Sequence, residues 1–370
     1  MKYFIIAGER SGDLHASYLM KELKKRDEQA EFRVIGGDLM QKEGGEIFLH
    51  YKKLSIMGFL EILSGVFKFL KIIKQTKQEI VNYNPDVLLL VDFAGFNMRI
   101  AKWAKLSGMK VHYYISPKAW AWNEKRAYKI KAYVDHLYCI LPFEEEFFKK
   151  FDYKINYVGN PLLDEVAEFT PTGKFKERNK LSDKPIIAIL PGSRKQEIEK
   201  NLYLMMSVIN VFPDFQYVIG AVSHLPMSYY RQFERNNNIH IVCDETYELL
   251  SESSYAIVCS GTATLETALF NIPQVVCYQT SAVSATIARM LIKVKYVSLV
   301  NLIANKAIVK ELLQDDFTPH NLLDELKLII NNESHRKKIL AGYDEVKSLM
   351  GNSGASAKTA ELIISYTKPS

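Results

Sequence analysis

The chain has 370 residues, of which 48% are hydrophobic and 24% are charged. This composition is typical of a soluble globular protein and excludes a disordered chain or a fibre, and the length predicts two domains. The formal net charge of +6 suits anionic small molecules, an anionic membrane surface or nucleic acid, without choosing among them.

The first half of the chain alternates short apolar runs with helical patterns. Strands are predicted at residues 2–8, 32–37, 85–93, 109–117, 135–143 and 155–161. The run at 85–93 is apolar almost throughout, as in a strand covered on both faces of a parallel sheet. A helix is predicted after the first strand, because Ala16, Leu19 and Leu23 recur at helical spacing, and Asp13 is predicted to cap it.

The second half repeats this alternation after a polar segment. Residues 168–184 contain proline, glycine and many charges without a periodic apolar face, and are predicted to be a linker. Strands are then predicted at residues 185–192, 215–222, 239–245, 255–261 and 274–280. Two such halves predict an α/β protein with two doubly wound domains, at 1–167 and 185–349, and a ligand at the carboxyl ends of the strands in an interdomain cleft.

The C-terminal segment, residues 350–370, has a modest helical pattern. It is predicted to form a last helix that packs back on the N-terminal domain. The sequence leaves two alternatives open, packing within one chain or exchange between the two chains of a homodimer.

The cysteines and the apolar runs indicate the compartment. No two of the four cysteines form a CxxC pair and three lie in apolar runs, which predicts buried free thiols in a reducing compartment. The first apolar run is too short for a signal peptide, and no uncharged stretch approaches the ~20 residues of a membrane-spanning helix. We therefore expect a cytoplasmic protein.

Several common α/β chemistries are disfavoured by missing motifs. No GxGxxG follows a strand and no GxxxxGK[ST] occurs, which argues against a dinucleotide-binding fold and a P-loop enzyme. No HExxH, CxxC or His/Asp cluster suggests a metal site, and no GxSxG elbow is present. We expect neither a metal nor a cofactor, and the remaining candidates are loops that follow the predicted strands.

Two loops of the first half place carboxylates directly after apolar runs. In AGERSGDLHA (7–16), small residues such as Ser11 let a ligand approach the backbone, and Glu9 stands at the strand end. A plain strand–turn–helix connection is the alternative. In LLLVDFAGFN (88–97), Asp92 follows five apolar residues, so it is either paired structurally or chemically active, for example as a general base.

Two loops of the second half suit a nucleoside diphosphate. In LPGSRKQEIE (190–199) an arginine stands where a strand gives way to a helix, whose free N–H groups and partial positive charge favour an anion. In CSGTATLETA (259–268) hydroxyls and a glycine lead into a helix, and its glutamate can accept hydrogen bonds from both hydroxyls of a ribose. An N-capped helix with an early acidic residue is the alternative. The residues concerned are Arg194, Ser260, Gly261, Thr262 and Glu266.

Residues 57–78 predict a basic amphipathic helix, with lysines at spacings of three opposite a wide apolar face. Such a helix either lies in a membrane interface or packs on a core with its lysines solvated. The lack of acidic residues after Glu61 in this stretch favours the membrane. The residues predicted to associate with a membrane are Phe59, Leu63, Val66, Phe67 and Leu70.

Two further loops have more than one explanation. Trp120 and Trp122 stand among basic residues, either as a platform for a sugar or lipid or in a surface loop with one buried tryptophan. Asn301 lies in an apolar setting where its amide needs a partner, and a nucleotide or a backbone carbonyl would serve equally well.

In this order along nearly the whole chain, these stretches resemble the lipid-A-disaccharide synthase family. The matching pieces are AGERSGDLHA, IMGFLEIL, PDVLLLVDFAGFN, YYISPKAWAWNEKR, LPFEEEFF, LPGSRKQEIE, CSGTATLE and YVSLVNLIANKAIVKELLQ. The resemblance implies a GT-B fold, with two Rossmann-like domains and an interdomain active site. The first domain would bind the acceptor and associate with a membrane, and the second would bind the UDP-sugar.

The resemblance also implies a reaction. An inverting glycosyltransferase would transfer 2,3-diacylglucosamine from UDP-2,3-diacylglucosamine to 2,3-diacylglucosamine 1-phosphate. The products would be the β(1→6)-linked disaccharide 1-phosphate of lipid A biosynthesis and UDP. The family needs no metal and associates peripherally with the inner membrane.

Nucleic-acid binding is disfavoured, because the lysines are not interleaved with exposed aromatic residues.

Residue roles carry over by position. Asp92 matches an aspartate regarded as essential, with general base as its role, and Glu9 matches a first-loop glutamate near the acceptor. The predicted substrate- and UDP-binding residues are Ser11, Arg194, Ser260, Gly261, Thr262, Glu266 and Asn301.

Three positions depart from the family pattern. Asn160 replaces a frequent histidine and is assigned no catalytic role. Val300 and Asn305 replace a usual proline and glycine, and asparagine tolerates the left-handed backbone that glycine would adopt.

Two alternative functions remain. One is a UDP-N-acetylglucosamine epimerase of the same fold, which would not need the apolar face of residues 57–73, and the other is a non-catalytic membrane-surface binding protein.

Overall fold

A computed structural model describes residues 1–55, 64–234, 238–280 and 294–367. Within these ranges the chain forms two compact units, Met1–Asp164 with Ser353–Ser370, and Glu165–Asn352. Each unit is built on one parallel β-sheet.

The first unit contains a seven-stranded sheet in the order β3-β2-β1-β4-β5-β6-β7. Its strands are β1 (Lys2–Ala7), β2 (Glu31–Gly36), β3 (Gly45–His50), β4 (Val87–Val91), β5 (Val111–Tyr114), β6 (His136–Cys139) and β7 (Asn156–Tyr157). Its helices are α1 (Arg10–Arg26), α2 (Asp38–Lys42), α3 (Lys52–Ser55), α4 (Ser64–Tyr83), α5 (Ala94–Leu106), α6 (Ala119–Trp122), α7 (Arg126–Tyr133), α8 (Glu144–Lys149) and the start of α9 (Pro161–Glu168). All five residues of β4 are buried, as expected for a central parallel strand.

The second unit contains a six-stranded sheet in the order β10-β9-β8-β11-β12-β13. Its strands are β8 (Ile186–Leu190), β9 (Gln216–Ala221), β10 (Ile239–Cys243), β11 (Ser253–Cys259), β12 (Gln274–Tyr278) and β13 (Glu311–Leu313). Its helices are α10 (Phe175–Arg178), α11 (Lys195–Met205), α12 (Ser228–Arg231), α13 (Thr246–Ser251), α14 (Thr262–Leu269), α15 (Leu299–Ala304), α16 (Pro319–Asn331) and α17 (Glu333–Met350), with 3-10 turns at Met206–Val208 and Gln314–Asp316.

The last helix, α18 (Ala355–Thr367), belongs to the first unit. It packs against α1, and Ala360 and Ile363 join the core cluster that contains Leu19 and Leu23. Its N-terminus is held by Asp164, whose carboxylate accepts the backbone N–H groups of residues 354, 355 and 356, the last at 3.0 Å. These bonds satisfy N–H groups that a helix start leaves unpaired.

Every predicted strand segment overlaps an observed strand, but two strands were missed. Both β3 and β13 are edge strands. β13 has only three residues, and the sequence around it has a helical pattern of apolar residues. Residues 168–184, predicted as a linker, lie in the second unit. There Phe175 is fully buried in the core cluster and Leu181 packs against it, and the Gln216 side chain bonds the backbone of Ser182, so the segment is fixed without any periodic apolar pattern.

Candidate active site

The first sheet reverses its strand order between β1 and β4. Their carboxyl ends are adjacent, with Ala7 paired to Val91. In doubly wound sheets ligands bind at such a reversal, because the following loops leave in opposite directions and open a crevice. Glu9 follows β1 and Asp92 follows β4, so the fold brings these two predicted residues to the same point of the sheet.

Asp92 occupies a strained turn between β4 and α5. Its φ is 46° and that of Phe93 is 47°, two consecutive left-handed residues that are not glycine. This conformation costs roughly 1–2 kcal/mol for each such residue. The side chain is half-buried, because the turn carries it to the end of the strand, at the border of the core.

Asn97 and Tyr113 hold the backbone of this turn, and neither was singled out from the sequence. The Asn97 side-chain N–H₂ donates to the carbonyl of Asp92 at 2.8 Å, and the Tyr113 hydroxyl donates to the same carbonyl. Both side chains are fully buried. The position of Asn97, a polar residue between apolar neighbours at the start of a helix, could have indicated its role. Tyr113 comes from another strand, and nothing in the sequence indicates its contact with Asp92.

Gly8 is required by a close approach between the two loops. A Cβ added at this position would lie 2.1 Å from the ring of Phe93, the residue after Asp92. No side chain fits at that distance, so the loop after β1 and the loop after β4 pack directly on each other.

The helix start after β1 differs from expectation in one contact. Glu9 and Ser11 are both exposed there, as a ligand-binding role requires. Asp13 does not cap α1 as predicted. Its carboxylate instead accepts the backbone N–H groups of Gly37, Leu39 and Met40 at 2.6–3.2 Å, because the loop before α2 passes beside it.

A buried carboxylate joins the loops after β5 and β6. Glu144 accepts the N–H of Leu141 at 2.9 Å, that of Ile140 at 3.2 Å and the indole N–H of Trp120 at 3.2 Å. Burial raises the pKa of Glu144 to about 7, although these hydrogen bonds oppose the shift. Trp120 is buried, so of the two explanations for this loop the structure favours the one with a buried tryptophan.

The second sheet has its own reversal, between β8 and β11. Leu190 near the end of β8 pairs with Val258 near the end of β11. The loops that follow these strands are the two predicted to bind a nucleoside diphosphate. The fold therefore places Arg194 and the Ser260–Thr262 turn at one switch point.

Arg194 is the N-cap residue of α11, directly before Lys195, and its side chain is 65% exposed. Glu197 lies beside it: one carboxylate oxygen is 3.6 Å from the guanidinium, and the other accepts the N–H groups of Ser193 and Arg194 at 3.2 and 3.3 Å. The expectation of free N–H groups is therefore wrong for these two residues. Gly192 has a φ of +100°, and a Cβ there would lie 2.5 Å from Glu197.

The loop after β11 is open. An added Cβ at Gly261 would meet no atom within 4 Å, and Gly261 and Thr262 are exposed. Glu266 is half-buried, and the hydroxyl of Tyr247 next to it donates to Glu165 at 3.2 Å. Burial and these two carboxylates raise the pKa of Tyr247 well above its usual range.

The amide of Asn301 is bonded on both sides within its own loop. Its N–H₂ donates to Val309 O and to the Glu311 carboxylate, each at 2.9 Å, and its oxygen accepts the N–H groups of Ile308 and Val309 at 2.8 and 3.0 Å. Of the two partners that the sequence left open, the structure has the backbone. Asn305 has a φ of 51°, which confirms the left-handed conformation predicted for it.

The other two departures from the family pattern are internal. Val300 is fully buried, and Asn160 accepts the N–H of Leu162 at 3.1 Å from a buried position. Both positions therefore serve the local structure.

The amphipathic helix is partly described. Phe59 and Leu63 lie outside the described residues, as does the side chain of Val66. In α4 the core face carries Ile72 and Ile73, while Phe67 and Leu70 are 75% and 52% exposed. Lys71 and Lys74, at helical spacing from Phe67, are also exposed, so the predicted separation of lysines from apolar residues is wrong there. No helix in the described ranges has the length and apolar character needed to cross a membrane.

Comparison with known proteins identifies the family of the chain. The profile of the family described as lipid-A-disaccharide synthetase matches residues 3–364. The chain belongs to the lipid-A-disaccharide synthase family. It is 34% identical to the lipid-A-disaccharide synthase of Myxococcus xanthus, over 100% of this chain and 98% of that protein. It is 32% identical to the lipid-A-disaccharide synthase of Coxiella burnetii, over 97% of this chain and 96% of that protein.

Solved structures share the GT-B fold with this family member at low identity. UDP-GlcNAc 2-epimerase from Neisseria meningitidis, bound to UDP-GlcNAc, superposes with a TM-score of 0.71 at 15% identity, covering 99% of this chain and 100% of that one. The calicheamicin glycosyltransferase superposes with a TM-score of 0.62 at 13% identity, covering 100% and 99%. These likenesses concern the fold. The family assignment makes the chain a glycosyltransferase of lipid A disaccharide synthesis and favours this over the epimerase and binding-protein alternatives.

Proposed function

We propose that the chain transfers 2,3-diacylglucosamine from UDP-2,3-diacylglucosamine to 2,3-diacylglucosamine 1-phosphate with inversion of configuration. The products are the β(1→6)-linked disaccharide 1-phosphate and UDP. The observation that carries this proposal is the position of Asp92, a half-buried carboxylate at the switch point of the first sheet, beside the loop of Glu9.

In this proposal Asp92 is the general base. It takes the proton from the 6-hydroxyl of the acceptor while that oxygen attacks the anomeric carbon of the donor. The bond between the anomeric carbon and the diphosphate oxygen breaks on the opposite face, and UDP leaves with the electron pair. Glu9 and Ser11, both exposed at the start of α1, contact the acceptor.

The second unit binds UDP in this proposal. Arg194 offsets the charge on the leaving diphosphate, supported by its exposed guanidinium. Ser260, Gly261 and Thr262 present an open helix start to the diphosphate, and Glu266 accepts the ribose hydroxyls. Asn301 has a supporting role, because its amide already holds the loop that includes Val309.

The decisive experiment is mass spectrometry of the products from purified protein given both acylated substrates. The expected products are the disaccharide 1-phosphate and UDP, with a β anomeric coupling by NMR. Asp92→Asn is expected to lower kcat by about 10²- to 10⁴-fold, the usual effect of losing a general base. Asp86→Asn is the matched control, because Asp86 is an exposed aspartate at the opposite end of the same strand. Wild-type protein that consumes the donor without forming a disaccharide would contradict the proposal.

We also propose that α4 attaches this cytoplasmic enzyme to the inner-membrane surface. The support is the exposure of Phe67 and Leu70 among lysines, since apolar side chains enter the acyl boundary while lysines meet anionic head groups. Phe67→Glu with Leu70→Glu should reduce flotation with anionic phospholipid vesicles by more than tenfold. Tyr203→Glu, at a residue 74% exposed in the second unit, is the control. Unchanged flotation of the double variant would exclude this surface.

A further inference from the structure

The backbone at Asp92 is held by more than its place at the end of β4. Two consecutive left-handed residues are strained, and the turn that contains them keeps this shape only while surrounding contacts enforce it. The Asp92 N–H donates to Tyr114 O at 2.9 Å, which fixes one side of the peptide. Its carbonyl is fixed by side chains on two other elements.

Asn97 is the first of these side chains. Besides the Asp92 carbonyl, its N–H₂ contacts the carbonyl of Val91 at 3.1 Å and that of Ile6 at 3.3 Å. One amide group thus joins the ends of β1 and β4 to the turn between β4 and α5. Because all three neighbours are carbonyl oxygens, the N–H₂ end must face them, which defines the orientation of the amide.

Tyr113 is the second side chain that fixes the Asp92 carbonyl. It lies on β5, the strand next to β4, and its hydroxyl donates to the Asp92 carbonyl. The hydroxyl is buried. The Asp92 carbonyl therefore accepts two donors, and both reach it from residues with little freedom to move.

We propose that Asn97 and Tyr113 are positioning residues that aim the Asp92 carboxylate at the acceptor hydroxyl. By fixing the carbonyl of Asp92, they fix the direction of its Cα–Cβ bond and hence the arc that the carboxylate can reach. The inference rests on the proposed role of Asp92 as the general base. Neither residue touches substrate in this proposal, so both act through Asp92.

The mild test is Tyr113→Phe, which removes the hydroxyl and keeps the ring. We expect kcat to fall about tenfold, since small misplacements of a reacting group lower rates by one to two orders of magnitude, while KM for both substrates changes less than twofold. Asn97→Ala should lower kcat further in whatever fraction remains folded. Tyr138→Phe is the matched control: this buried hydroxyl on the next strand bonds to His112 at 2.8 Å, and kcat should not change.

The Asp92→Asn background separates this inference from the proposed function. With the carboxylate gone, adding Tyr113→Phe should cause no further loss of the residual rate, measured with radiolabelled donor over long incubations. An equal loss from Tyr113→Phe in both backgrounds would overturn the positioning role, as would full kcat in the single variant. If Asp92→Asn alone keeps full activity, the proposed base fails instead. UDP binding by calorimetry and the urea unfolding midpoint verify that each variant is folded.

Discussion

Glu144 makes the stability of the first unit depend on pH in an unusual direction. Its pKa is raised from 4.5 to about 7, with burial as the largest cause. A carboxyl with a raised pKa holds its proton more tightly in the folded state, so its stabilising contribution is complete below pH 4.5 and falls as the pH rises through 7. The shift corresponds to about 3 kcal/mol, most of which falls between pH 5 and pH 8.

Glu144→Gln removes this titration while keeping the shape of the side chain. The free energy of unfolding of the wild type, relative to the variant, should therefore fall by roughly 2–3 kcal/mol from pH 5 to pH 8. The assay is urea unfolding followed by circular dichroism at pH 5, 6, 7 and 8. Glu145→Gln makes the same chemical change at an exposed neighbour on α8 and is the control.

A constant difference between wild type and Glu144→Gln across this range would refute the reasoning. It would mean that Glu144 stays charged in the folded protein, with the hydrogen bonds from Leu141, Ile140 and Trp120 offsetting its burial in full. A difference of the opposite sign would show that these bonds outweigh burial.

Three further predictions follow from single contacts. Arg194→Ala should weaken UDP binding by about 10- to 100-fold in calorimetry, since hydrogen bonds to charged groups contribute about 1.5–3 kcal/mol. Unchanged affinity would exclude Arg194 from the diphosphate site. Asp164→Ala should lower the free energy of unfolding by about 1–2 kcal/mol through loss of the α18 cap, whereas Asp183→Ala, at an exposed residue, should have little effect. Gly8→Ala should lower kcat, because its Cβ would displace the ring of Phe93. Gly95→Ala, with open space around it, should leave kcat unchanged. Equal rates for the two glycine variants would contradict the close packing.

The sheets could be predicted from sequence because buried parallel strands are almost continuous apolar runs. Strand β4, VLLLV, and strand β8, IIAIL, are buried at every position, and each is followed by polar loop residues. The edge strands β3 and β13 escaped prediction because one side has no neighbouring strand, which relaxes the need for an apolar sequence.

The predicted loops were found for the same reason, since polar residues directly after an apolar run stand out. What surrounds them was not predictable. Tyr113 reaches Asp92 from a neighbouring strand, and Asn97 contacts Ile6, which is 91 positions away in sequence. Asn301 shows the same limit: the sequence left a nucleotide and a backbone carbonyl equally open as partners of its amide, and it did not reveal the local turn that occupies both its donors and its acceptor.

The position of α18 has a consequence for synthesis of the protein on the ribosome. Residues 165–352 are contiguous, so the second unit can fold as soon as they emerge. The first unit begins to emerge earlier, but the part of its core formed by Ala360 and Ile363 is made only after the whole second unit. Until then the part of this core that Ala360 and Ile363 cover stays open, and the nascent chain exposes an apolar patch while residues 165–352 are made. A stop codon before residue 355 would leave that patch uncovered permanently and mark the product for aggregation or degradation.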